Sequence, residues 1–70
     1  MNRTPVSSSN INSVGYDNNG ILEVEFNSGS IYRYYSIPPV IYHNLMTAKS
    51  HGHYFDEHIK KSRYPYEKVS

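Results

Sequence analysis

Two loops of the same design constrain the fold more than any other feature: Asn18-Asn19-Gly20 and Asn27-Ser28-Gly29 are each three residues long, and each ends in glycine. A three-residue hairpin loop is commonly a type I turn followed by a residue with positive φ, a conformation that glycine takes without steric cost. The segments they separate, Ile11 to Asp17, Ile21 to Phe26 and Ile31 to Tyr35, read as strands, which predicts a three-stranded antiparallel meander. Loop length also sets the register. It pairs Asp17 with Ile21, Tyr16 with Leu22 and Val14 with Val24, then Phe26 with Ser30, Val24 with Tyr32 and Leu22 with Tyr34. Directly opposed residues share a face. One face therefore gathers Val14, Tyr16, Leu22, Val24, Phe26, Tyr32 and Tyr34, which reads as a core, the alternative being that Tyr32 and Tyr34 offer two stacking platforms to unstacked bases. The other holds Ser13, Gly15, Glu23, Glu25, Arg33 and Tyr35, with Glu23 facing Arg33 as a weak surface pair. A two-residue Ser28-Gly29 loop would instead slip the register and set the tyrosines beside Glu23 and Glu25, but the agreement between the two loops favours the first pairing.

Beyond the strands, Ile37-Pro38-Pro39 ends sheet pairing, and Pro39 is suited to the first turn of a helix running to about Ala48. Ile41, Tyr42, Leu45 and Ala48 fall on one side of it. Ser50 has the character of an N-cap for a second helix, His51 to Lys61, with Phe55 and Ile59 one turn apart and Lys60 and Lys61 at its C-terminal end. Gly52 weakens that helix near its start. Tyr64-Pro65-Tyr66 cannot continue it and is expected to run extended. The fold class is α+β, a three-stranded antiparallel meander packed against two short C-terminal helices, with residues 1–8 as a flexible arm, 9–66 as one domain and 67–70 as a tail.

A chain of 70 residues makes one domain, and a domain near that size buries only about 60% of the surface that its unfolded chain exposes. There is no cysteine, so disulfides cannot hold the core together. Eight tyrosines against two phenylalanines and no tryptophan mean that aromatic bodies are buried while hydroxyls still need a partner, which suits the rim of a core or an interface. The polar start lacks the apolar run of a secretory signal and no later run is long enough to span a bilayer, so a cytoplasmic location without membrane contact is the expectation. Net charge is +1, far from the footprint of a strongly basic nucleic-acid binder. The basic residues do favour the second half. Arg3 and Arg33 stand against Asp17, Glu23 and Glu25 in the first 42 residues, whereas Lys49, Lys60, Lys61, Arg63 and Lys68 outnumber Asp56, Glu57 and Glu67 after them.

Lys49, Lys60, Lys61, Arg63 and Lys68, interleaved with Tyr54, Tyr64 and Tyr66, form the candidate nucleic-acid-binding strip, with cations for phosphates and rings for bases. The alternative is a solvated helix face whose C-terminal dipole is neutralised, because Asp56, Glu57 and Glu67 interrupt the run. His51-x-His53 with His58 prompts a metal reading, yet on a helix the first two point to different sides and His58 lies two turns away. No metal or other cofactor is expected. Ser50, His53 and Asp56 supply the residue types of a triad, but neighbours along one helix do not converge as nucleophile, base and orienter. No catalytic residues are assigned.

A longer pattern runs through these elements: Ser9-Asn10-Ile11, Val14-Gly15-Tyr16-Asp17, Leu22-x-Val24-x-Phe26, Gly29, Tyr32-x-Tyr34, Ile37-Pro38, Tyr42-x-x-Leu45, Ala48, Ser50, Gly52, Tyr54-Phe55 and Ile59. Over about residues 8 to 66 it resembles the KTSC domain family, named for a segment at the C-terminus of some lysyl-tRNA synthetases and found also as short free-standing bacterial and phage proteins. That resemblance implies a link to RNA through the synthetase association and supplies no catalytic residues. The functional expectation is a small non-enzymatic binding module with RNA or a ribonucleoprotein as partner, and no small-molecule substrate is evident. The alternative is a protein-interaction or homo-oligomeric accessory domain that uses the exposed sheet face or an edge strand.

Overall fold

The computed structural model describes residues 1–70. Its centre is the expected meander: β2 (Ile11–Tyr16), β3 (Leu22–Phe26) and β4 (Ile31–Tyr34) are antiparallel neighbours. The register is the one that the loops imply. Tyr16 faces Leu22 and Val14 faces Val24, while Val24 faces Tyr32 and Leu22 faces Tyr34. Both loop glycines are left-handed, Gly20 at φ 82° and Gly29 at φ 98°. The Asp17 carboxylate braces the first loop by accepting from the amides of Asn19 (2.9 Å) and Ile21 (3.3 Å).

The sheet has five strands, not three. The short β1 (Thr4–Pro5) pairs with Val14 and Ser13 of β2, and β5 (Tyr66–Lys68) pairs with β4, setting Lys68 beside Tyr32, Glu67 beside Arg33 and Tyr66 beside Tyr34. Both added strands are too short to carry a pattern of their own, and they form because the meander offers two unpaired edges. Thr4 and Pro5 lie in the segment expected to be an arm, Tyr66 in the segment expected to run extended, and Glu67 and Lys68 in the expected tail. A bulge at Asn12 is a second departure, since Ile11 faces Phe26 while Ser13 faces Glu25. The extra residue turns Ile11 onto the core face, where strict alternation would have left it on the polar one.

α1 (Pro39–Thr47) begins at the expected proline, and its one fully buried residue is Leu45. Tyr42, half-buried, stacks on Tyr16 with ring centroids 4.6 Å apart, and the Tyr16 hydroxyl donates to the Ile37 carbonyl at 2.6 Å. Ser50 does cap α2, its hydroxyl accepting from the His53 amide at 3.2 Å. The α-helix itself covers only His51–Phe55 and passes into a π-helical turn, Asp56–Lys60. Gly52 has a use in this arrangement: it is buried, and a Cβ there would stand 3.2 Å from the Asn10 side-chain nitrogen, so glycine lets the lead-in to β2 lie against the helix. Between sheet and helices sits one core of Ile11, Val14, Leu22, Val24, Tyr34, Ile37, Leu45, Phe55 and Ile59.

On the opposite face Glu23 is no loose surface partner. Its side chain is only 7% exposed, held between Arg3 (2.6 Å) and Arg33 (2.8 Å), so that β1 is pinned across β2 to β3 and β4. Burial pushes the Glu23 carboxyl up, but the hydrogen bonds from Arg33 and Arg3 outweigh it and the net shift is downward. Glu25 is also lowered, by hydrogen bonds from Asn12 (2.8 Å) and Ser13 (2.9 Å). A carboxyl lowered in the folded state stabilises the fold above its unfolded pKa of about 4.3 and loses that contribution as pH falls through the folded value. Melting temperature is therefore expected to fall progressively below about pH 4.5, and more shallowly in Glu23→Gln, which a pH series of thermal melts would read. Parallel wild-type and Glu23→Gln curves would show that the clamp contributes nothing to acid stability.

Candidate functional site

Five aromatic rings reach one place from four elements. Phe26 comes from the end of β3, Tyr32 and Tyr34 from alternate positions of β4, Tyr66 from β5 and Phe55 from α2. Tyr34 lies at the centre of the group, 5.3 Å from Phe55 in an edge-to-face contact, and it stacks on Tyr66 at 5.4 Å. Phe26 meets Tyr32 and Phe55 edge to face at 5.8 and 5.5 Å. The rings line an open cleft of about 790 Å³ between the sheet and α2, bounded by Asn27 and Ser28 of the second loop and by Asp56 and Lys60 of the π-helical turn.

The tyrosines divide between core and cleft. Tyr34 is only 6% exposed, and burial, followed by its neighbours Tyr66, Tyr32 and Asp56, pushes its hydroxyl up to about 12. Tyr32, expected in the core, is half-buried and keeps part of its ring open to the cleft. Tyr66 is 63% exposed although it stacks on Tyr34 and lies tilted against Tyr32 at 6.1 Å.

The basic and aromatic residues of α2 and the tail do not form a single strip. Lys60 and Tyr66 line the cleft, and Lys68 stands opposite Tyr32 on the same sheet face. Lys61 instead pairs with Glu57 at 3.1 Å, and Tyr54 stacks on His58 at 4.3 Å. Tyr64 packs against the core, while Lys49 is exposed between the helices. Arg63, also exposed, takes a left-handed conformation (φ 63°) where the chain reverses toward β5. That reversal separates the helix end from the tail, which a linear reading had set side by side. Phe26, Tyr32, Tyr34, Phe55 and Asp56 also line the cleft, and the candidate strip did not include them. Nothing local in the sequence marks them as a group, because they meet only once β5 pairs with β4 and sets Tyr66 beside Tyr34.

Tyr35 and Glu67 close the polar face on that side, the tyrosine hydroxyl donating to the carboxylate. No three His, Cys, Asp or Glu side chains are grouped to hold a metal ion. His51 spends Nδ1 on the Leu45 carbonyl at 2.8 Å, where it is the donor. No helix is long and apolar enough to cross a membrane.

The comparisons with known proteins are concordant. The KTSC domain family model matches residues 7–64. An uncharacterized protein of Stutzerimonas stutzeri (strain A1501) is 41% identical over 70 residues, covering 99% of each chain. The crystal structure of a KTSC domain protein from Yersinia pestis superposes with a TM-score of 0.92 at 40% identity, over 99% of this chain and 97% of that one. A lysine–tRNA ligase of Nostoc punctiforme (strain ATCC 29133 / PCC 73102) is 39% identical over 49 residues, which are 70% of this chain and 9% of the ligase. With the family pattern spread over nearly the whole sequence and the same architecture in a solved relative, this chain belongs to the KTSC domain family.

Proposed function

We propose that this domain is a non-enzymatic binding module that takes an unstacked base of single-stranded RNA into its aromatic cleft. The observation that carries the reading is the open ring cluster around Tyr66, an aromatic side chain left largely exposed where four others converge. Soluble domains seldom gather so many rings at an open cleft without a partner for them, and base stacking on tyrosine is the common means of single-strand recognition. Lys60 and Lys68 flank the rings and supply cations for the phosphates that such a base would carry with it. The likeness to part of a lysine–tRNA ligase supports an RNA partner, although the likeness spans only 9% of that protein.

Fluorescence anisotropy with an end-labelled oligoribonucleotide tests the reading. Tyr66→Ala is expected to weaken binding roughly 5- to 150-fold, the range for one lost stacking contact, with little change in melting temperature. Lys60→Glu should lower the slope of log affinity against log salt by at least about one. Binding that is indifferent to both substitutions would remove the cleft from consideration.

A further inference from the structure

The cleft carries a polar pair that ring stacking does not require. Asp56 and Lys60 stand four residues apart on the π-helical turn, and both line the cleft. Of the six side-chain carboxylates in the chain, Asp56 is the only one without a partner. Asp17 braces its loop, Glu23 and Glu25 face Arg3, Glu57 holds Lys61, and Glu67 accepts from Tyr35. Lys60 is likewise free of any ion pair, and the two side chains form none with each other.

A free carboxylate is a liability for a surface that merely attracts phosphates, because it repels them. It is useful against the edge of a base. An ionised carboxylate only accepts hydrogen bonds, so it discriminates by what the edge donates. Uracil offers one N–H between two carbonyl oxygens. Cytosine and adenine each offer an amino group beside an unprotonated ring nitrogen, whose lone pair faces the second carboxylate oxygen. Guanine alone presents two adjacent donors, its ring N–H and its amino group, next to a carbonyl oxygen. Two donors match the two oxygens of Asp56, and the carbonyl matches the ammonium of Lys60.

We propose that the cleft selects guanine, stacked on Tyr66 and read on its Watson–Crick edge by Asp56 and Lys60. This rests on the base-stacking reading above. Asp56 lines the same cleft as Tyr34, Phe55 and Tyr66. Asp56 itself is exposed and its side chain bonds no other part of the fold, so its replacement is expected to leave the melting temperature nearly unchanged.

The test measures anisotropy with four end-labelled oligouridine probes that carry G, A, C or U at one central position. The G probe is expected to bind about tenfold or more tightly than the others, and inosine, which lacks the amino group, should forfeit most of that gain. Asp56→Ala should bring the four probes to within about twofold of one another, with the A probe bound no more weakly than by the wild type, since a charge that repels phosphates is gone. Equal affinities in the wild type would overturn guanine selection and leave base stacking standing. A guanine preference that survives Asp56→Ala would overturn the role of Asp56, and failure of every probe to bind would remove both proposals together.

Discussion

Tyr34→Ala is expected to destabilise the domain by about 3–5 kcal/mol, the range for deleting a large buried aromatic ring. That is most of what so small a fold possesses, since total stabilities run from about 5 to 15 kcal/mol and short chains lie at the lower end. Tyr34 is 6% exposed and sits in contact with Phe55, Tyr66 and Tyr32, so its removal opens a void that three rings border. Equilibrium denaturation at constant slope would show the loss as a lower midpoint. Tyr32→Ala should be markedly milder, because that ring already faces water on one side. Equal losses at the two positions would mean that Tyr32 belongs to the core and that the cleft is shallower than described.

Leu45→Ala is expected to cost about 2–5 kcal/mol and to loosen α1 ahead of the sheet. α1 has nine residues, no side-chain N-cap and no acidic group in its first turn, so little within the helix itself favours it. Helices this short are marginal alone and depend on packing. Leu45 supplies that packing as the single fully buried residue of α1, and its carbonyl receives the His51 ring, which ties α1 to α2. Hydrogen exchange should show the amides of residues 42 to 47 losing protection in the variant before those of β3. Uniform loss across both would indicate that the helix and sheet unfold as one unit.

The meander was legible because its information is local: loop length and a terminal glycine set the pairing of β2, β3 and β4 without reference to anything distant. The Ser50 cap and the Pro39 helix start are local in the same way. What stayed hidden depends on pairing across the chain. Thr4 and Pro5 become a strand only because Val14 and Ser13 are available, and Tyr66 finds Tyr34 only after the reversal at Arg63. The bulge at Asn12 is hidden for a related reason: two-residue alternation predicts Ile11 on the polar face, and only the demand of the core for another aliphatic side chain reverses it. The cleft depends on the same pairings across the chain. Lys60 and Tyr66 were recognisable as types of residue, but their meeting with Phe26, Tyr32 and Phe55 is a property of the five-stranded sheet.

The five-strand order places β1 and β5 at opposite edges, so polypeptide joined to the two ends of the domain leaves from opposite sides. A tag or carrier attached before β1 would depart from the edge away from Tyr66, whereas one attached after β5 would emerge within a few residues of that ring and crowd whatever approaches it. Recombinant versions intended for interaction work should therefore carry their fusions at the amino end.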